Sequence, residues 1–232
     1  MKTARETPLG QDPTPRRQPV TRARVIEAAL QVMDAEGLEA VTMRRIGREL
    51  GVEAMSLYNN VQDKDDILDA LTELVMSEFE LPSPSGDWRE DGKNAAREWR
   101  RLLRMHPNVM GLMAERRKPL ANPESLRPMD TAIGILRGAG LDVRDAVQAF
   151  NAFGSYIMGF VIMEQGMMLG HEGPDEEHLG MHEELARLHG SEFPFLVEAF
   201  PILHECSTDE QFEFGLDLMM LGLESKIAPQ PS

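Results

Sequence analysis

The stretch Thr42–Lys64, TMRRIGRELGVEAMSLYNNVQDK, constrains the fold more than any other part of the chain. Thr42 is a helix N-cap type, and Met43, Ile46 and Leu50 fall three and four residues apart, which puts them on one buried face. Gly51 follows where a helix stop needs a residue tolerant of positive φ. A second helix starts near Ala54 and holds Leu57 and Val61 inward. Its outer face carries Met55, Ser56, Tyr58, Asn59 and Asn60. Two short helices about a tight turn make a helix-turn-helix, and the outer face of the second offers side chains that reach base edges.

A net charge of -15 over 232 residues argues against a nucleic-acid partner until its distribution is counted. Residues 1–64 carry ten basic and nine acidic side chains, whereas the rest carries fourteen basic and thirty acidic. The helix-turn-helix therefore lies in the one part of the chain that is not strongly acidic. Phosphate would repel the acidic remainder and orient the molecule with its N-terminal end toward DNA. Affinity has to come from local clusters such as Arg44, Arg45 and Arg48, and from pairing of two chains. The single cysteine, Cys206, excludes an internal disulfide and fits a reducing compartment. The N-terminus has no apolar signal core, and no run of about 18 apolar residues marks a membrane span. The expected location is cytoplasmic, with no membrane partner.

Residues 1–20 are polar and rich in proline, which predicts a disordered arm. Thr21 to Gly37 is the first helix, with Val25, Ala28, Ala29, Val32 and Met33 at helical spacing. The run from Asp65 starts a fourth helix with Ile67, Leu68, Leu71, Leu74, Val75 and Phe79 apolar, ending at a Pro/Ser/Gly linker. Helices follow over 87–106, 108–117, 123–137, 142–169, 193–205 and 208–227, the last capped by Thr208. The segments 142–169 and 208–227 are apolar around much of their circumference and so need burial on several sides. There is no strand pattern. The chain is predicted to be all-α: an arm (1–20), a helix-turn-helix domain (21–64) and a larger helical domain (65–228).

The run Val41–Leu71, VTMRRIGRELGVEAMSLYNNVQDKDDILDAL, resembles the DNA-binding segment of the TetR family of bacterial transcriptional repressors. The C-terminal half resembles the tetracycline-repressor subtype more loosely, including FEFGLDLMMLGLE at Phe212–Glu224. The chain has Gly47 where most relatives have Ala. The resemblance implies DNA contacts from Thr42, Arg44, Ser56, Tyr58, Asn59, Asn60 and Lys64, with Tyr58 and Lys64 on phosphate. Arg45 and Met55 join that set from the residue types, Met55 either touching a thymine methyl or packing at the helix start. It also implies a homodimer through the helices at about 142–169 and 208–227, a pseudo-palindromic operator, and release by a small-molecule effector.

The effector pocket is expected around Trp99, Leu103, His106, Met110, Met113, Phe153 and Ile157, adaptable apolar residues with one imidazole. In position, His106 matches a histidine that helps hold a drug–magnesium complex in the tetracycline repressor; equally, a His before Pro107 caps a helix end. His171, His178, His182 and His189 crowd one acidic loop, which reads as a solvated segment rather than a metal site, so no metal and no cofactor is expected. The competing class, a helical-bundle metalloenzyme, needs Glu-x-x-His pairs on two helices, and none lies on the apolar ones. An activator, or a regulator without an effector, keeps the same fold.

Overall fold

The computed structural model describes residues 19–81, 83–115, 123–165, 183–184, 187, 191–199, 202 and 207–227. Among these it is all-helical. The chain divides into two compact units after Ile67.

In the first unit, α1 (Arg22–Glu36) starts where the extended Thr21 accepts a hydrogen bond from the Arg24 amide at 3.4 Å. It stops at Gly37, φ 90°, whose amide donates to Met33 O at 2.9 Å. After a single 3-10 turn, Leu38–Ala40, the extended Thr42 caps α2 (Met43–Leu50) by accepting from the Arg45 amide at 3.2 Å. Gly51 takes the left-handed conformation, φ 66° and ψ 34°, as the sequence requires of a helix stop there. Its neighbour Val52 donates its amide to Gly47 O at 2.9 Å, folding the turn back on α2. Next comes α3 (Ala54–Leu57), shorter than the sequence reading: regular helix ends at Leu57, and Tyr58–Asn60 continue as a hydrogen-bonded turn, with the Asn60 amide on Leu57 O at 2.8 Å. Val25, Ala29 and Met33 of α1 form the core with Val41, Ile46, Leu57 and Val61, all buried. Each such aliphatic side chain contributes about 1.5–3 kcal/mol by leaving water. The fourth helix, α4 (Lys64–Ser77), has its first turn in this unit and the remainder in the second.

The second unit adds α5 (Trp88–Met105), α6 (Val109–Glu115), α7 (Pro123–Gly138), α8 (Val143–Gln165), α9 (Pro194–Ala199) and α10 (Thr208–Glu224). Asp87 caps α5 through the Arg89 amide at 2.9 Å. Helix α8 packs on α5, α7 and α10. Leu136, Leu141, Ala146 and Ala149 form one buried cluster, with Phe150, Phe153, Leu223 and Ile227 against it.

A ladder of ion pairs joins α5 to α10, which run antiparallel: Arg89 to Glu224, Lys93 to Asp217, Arg97 to Glu213 and Arg100 to Asp209. The basic members all come from α5 and the acidic ones from α10. At the Arg100 end the guanidinium is buried while Asp209 is exposed. Arg100 also reaches Glu164 of α8 through two bonds, 2.6 and 3.2 Å, and lies 4.6 Å over the Phe212 ring. Glu164, the one acid inside the apolar helix, is thereby accounted for. Tyr156 stacks on Phe212, its hydroxyl donating to Phe212 O at 2.9 Å, and a Cβ at position 215 would strike its ring, which explains Gly215.

Two readings are corrected. The cap of α10 is Ser207, not Thr208: Ser207 and Glu210 form a reciprocal capping box, a stronger arrangement than one hydroxyl supplies. That helix ends at Glu224 rather than Ile227. Met105 is 50% exposed, because the buried stripe of α5 passes through Leu102 and Leu103. Helix α8 is long and apolar enough, by length and composition, to cross a membrane, although it contains no unbroken run of about 18 apolar residues. Its buried face (Ala146, Ala149, Ile157, Val161) and the Arg100–Glu164 pair make it a core helix of this unit. The arm at 1–18 and His171, His178, His182 and His189 lie outside the described residues.

Candidate nucleic-acid interface and ligand cavity

Leu57 is fully buried and Val61 nearly so, which turns the opposite side of α3 and its following turn outward. Met55 is 76% exposed, so it does not pack at the helix start. Tyr58 is 48% exposed, and Arg44, Asn59 and Lys64 are exposed too. Ser56 and Asn60 are half-buried. Among the described residues the side chains of Arg44, Ser56, Tyr58, Asn59, Asn60 and Lys64 have no hydrogen-bond or ionic partner. A group of polar side chains that leaves its donors to water can exchange that water for phosphate and base edges.

Two members of the predicted set differ. Arg45 is held within its own unit, with Glu36 at 2.6 Å and Glu49 at 2.8 Å. The Arg45 hydrogen bond draws the Glu36 carboxyl below its usual range and raises the guanidinium. It ties α2 to the end of α1 instead of presenting a free cation. The Thr42 hydroxyl accepts from the Arg45 amide and so fixes where α2 begins. At the other edge, Arg22 clasps Asp66 through two bonds, 2.7 and 2.6 Å, which holds that carboxyl below its usual range. Asp66 also accepts from the Gln62 amide at 2.8 Å, fixing the turn that carries Asn59 and Asn60 into Lys64.

The second unit holds a half-open cavity of about 500 Å³. Four predicted residues line it: Trp99, Met113, Phe153 and Ile157. Leu103, His106 and Met110 do not. Leu103 is fully buried in the helical core. His106 ends α5, its amide on Leu102 O at 3.0 Å and its Nε2 3.0 Å from Glu78 Oε2, so the imidazole belongs to a helix-end contact. Sequence reasoning missed Thr72 and Met76 of α4, Phe79 just beyond it, Trp88, Met158 and Met220. A signal was available: Trp88, Gly92, Ala95 and Trp99 repeat at four, three and four residues, a stripe mixing the largest and smallest side chains. Such a stripe leaves a hollow where a uniform one would close it. The Arg101 guanidinium, paired to Glu98, donates to Glu78 O at 3.0 Å, and the Glu80 amide donates to Glu98 at 2.9 Å. These bonds fasten the segment after α4 to α5 beside the cavity.

A short helical unit with an outward polar face of this kind, followed by a larger helical unit with an apolar cavity, defines a helix-turn-helix DNA-binding regulator. Sequence comparison agrees. Residues 25–71 match the family described as bacterial regulatory proteins, tetR family, and residues 81–227 match the tetracyclin repressor-like C-terminal domain. The HTH-type transcriptional repressor DrrR1 of Streptomyces coeruleorubidus is 30% identical, covering 97% of this chain and 83% of its own. The tetracycline repressor protein class C of Escherichia coli is 31% identical over 88% of this chain and 90% of its own. Among solved structures, Streptomyces coelicolor ActR in complex with actinorhodin superposes with a TM-score of 0.74 at 28% identity, covering 91% of this chain and all (100%) of that one. The chain belongs to the TetR family: it is a DNA-binding transcriptional regulator, not an enzyme.

Proposed function

We propose that this protein is a homodimeric repressor that holds a pseudo-palindromic operator and releases it when a small molecule fills the cavity of the second unit. The observation that carries the reading is α4. One fourteen-residue helix begins at Lys64, beside the reading turn, and carries the cavity residues Thr72 and Met76 near its other end. A ligand that repacks those two side chains acts on the helix whose first turn bears Lys64, a route for shifting the population between two arrangements.

Pairing through α8 and α10 is supported by their uncovered apolar side chains. Phe214 (67% exposed), Leu218 (55%) and Leu221 (63%) repeat at four and three along α10, and Val147, Ile162 and Met163 are exposed on α8. Such a stripe on a soluble protein marks an interaction surface. A two-fold dimer sets two reading turns about 34–36 Å apart, in successive major grooves. Tyr58 and Lys64 take phosphate, and Asn59 and Asn60 face base edges. Arg44 supplies a further free cation, and Met55 meets a thymine methyl. Operator DNA places the protein in the cytoplasm.

The test is selection of bound fragments from genomic DNA, followed by titration of the recovered site. A two-fold symmetric site, weakened by Tyr58→Ala and by Lys64→Ala in proteins of normal helix content, is the expected result; unchanged affinity in both variants would sink the interface. Light scattering should give twice the 26.0 kDa chain mass, and Leu218→Glu should lower it toward a single chain. A wild-type protein of single-chain mass at micromolar concentration would remove the dimer.

A further inference from the structure

We infer that each reading turn selects an A·T core in its half of the operator: adenine opposite Asn59 and, within two base steps of it, thymine against Met55. This rests on the proposed DNA interface and names the bases which that interface accepts.

The backbone places these two side chains together. Regular helix ends at Leu57, yet Tyr58 keeps right-handed helical angles, φ -63° and ψ -12°. The Asn60 and Val61 amides both donate to Leu57 O, at 2.8 and 3.1 Å, and the second bond spans four residues as in an α-helix. The helical spacing of α3 therefore continues through the turn. At about 100° per residue, Met55 and Asn59 lie about 160° to either side of the buried Leu57. They form the crest of the outward face, and both are exposed. Ser56 and Asn60, half-buried, flank the crest on one side and Tyr58 on the other. Four residues of helix rise about 6 Å and one base step about 3.4 Å, so the pair spans at most about two steps.

The chemistry of the crest sorts the bases. In the major groove adenine presents the N7 acceptor beside the N6 amino donor, and the Asn59 amide offers a donor beside an acceptor. Guanine presents two acceptors, N7 and O6, so the amide oxygen of Asn59 would face a lone pair. Bidentate reading of guanine takes Arg or Lys, and residues 53–63, all of them described, contain neither. Glu53, exposed at the start of α3 and making no side-chain cap bond, is acceptor-only when ionised, which also disfavours the guanine edge. Asn60 repeats the amide of Asn59 beside it. Met55 carries no strong donor or acceptor, and its exposed thioether gains by covering an apolar group. The apolar group that the major groove presents is the thymine methyl.

The experiment selects duplexes from a randomised library with the full-length protein, then alters single atoms of the recovered duplex. A·T pairs are expected at two positions of each half-site, within two steps of one another. Replacing that adenine by 7-deazaadenine keeps its Watson–Crick pairing and removes N7. The unaltered protein should lose about five-fold in affinity, the lower end of what a bidentate pair contributes, whereas Asn59→Ala should bind both duplexes alike. Deoxyuridine in place of the thymine removes the methyl alone. The unaltered protein should lose about three- to four-fold, as expected for one buried methyl group, and Met55→Ala should lose nothing. Recovered half-sites with G·C at both positions, or analogue losses that persist undiminished in Asn59→Ala and Met55→Ala, overturn the inference. The analogue comparison on the unaltered protein stands without any variant: no loss with either analogue overturns it equally. Tyr58→Ala and Lys64→Ala are titrated in parallel on the unmodified duplex. If both bind as the unaltered protein does, the interface itself is wrong and the base assignment falls with it; if both weaken while the analogues have no effect, the base assignment alone is wrong.

Discussion

The two units are unfinished in opposite chemistries. The first has a closed apolar core and leaves polar side chains unpaired on one face: Arg44, Tyr58, Asn59 and Lys64 point to solvent while Ile46, Leu57 and Val41 are fully buried beneath them. The second pairs its charges along the α5–α10 ladder but leaves apolar surface uncovered, outside on α10 and inside around the cavity. Each deficit names its complement. Unpaired donors call for an anionic, hydrogen-bonding polymer; uncovered apolar surface calls for a second chain and an apolar ligand. Overall acidity describes neither, which is why a net charge of -15 coexists with a DNA-binding face.

The contrast breaks first at Arg100, where the ladder meets Glu164 of α8. With Arg100 and Glu164 both about nine-tenths buried, Glu164→Ala leaves a guanidinium short of its partner inside the core. The expected loss is about 3–5 kcal/mol, read by urea unfolding, whereas Arg100→Met with Glu164→Leu should recover most of it. The outer rung Arg97–Glu213 is over a third exposed on both sides, and Arg97→Ala should cost no more than about 1 kcal/mol. Equal losses at the two pairs would mean that burial does not separate them.

On the first unit, Asn59→Ala or Asn60→Ala should weaken operator binding by about 1–3 kcal/mol with relaxed choice of base at one position. Lys64→Ala should weaken binding to all sequences alike and lower the salt slope by about one. A base-specific effect from Lys64 would exchange these roles.

Acid tests both units together. The Glu213 carboxyl is held low by its hydrogen bonds from Arg97, and Asp66 and Glu36 by theirs from Arg22 and Arg45. For carboxylates lowered in the folded chain, the unfolded chain binds more protons, so this stability is complete above the ordinary carboxylate range and lost as pH falls through the folded values. The thermal midpoint should be flat down to about pH 5 and fall below it. Arg97→Ala should make the fall shallower, and an unchanged acid limb in that variant would place the protons elsewhere.

Where local rules act alone, the structure was legible in the chain: Thr21 and Thr42 as caps, Gly37 and Gly51 as stops, the inward Leu57 and Val61. The paired reading of Arg45 was not, because Glu36 comes from a preceding helix and only folding brings it to 2.6 Å. The cavity was half legible for a related reason. Helical spacing shows which residues face inward but not which of them meet, so Leu103 and Trp99 look alike in the chain, and only packing separates core from wall. His106 shows the limit of reasoning by position: its place matched a binding residue, and its hydrogen bonds belong to a helix end.

The smallest effect concerns Gly47, where the resemblance leads one to expect Ala. Gly in a helix costs about 0.5–1 kcal/mol against Ala, so propensity alone favours the substitution. Space opposes it. A Cβ at 47 would sit 2.9 Å from Val52 O and 3.3 Å from the Ala54 amide nitrogen, and both are backbone atoms of the turn that aims α3. Neither can swing aside as a side chain does; the turn itself must move. Overpacking of this kind costs about 1–3 kcal/mol, which outweighs the propensity gain and leaves a net loss of about 1 kcal/mol. Because the displaced atoms lead into α3, Gly47→Ala should also weaken the operator complex, although residue 47 is itself buried. Urea unfolding and operator titration on the same variant separate the two effects. A gain in stability at unchanged affinity would show that the turn has slack, and that the face it carries is set by Asp66 and Arg22 rather than by the close approach at Gly47.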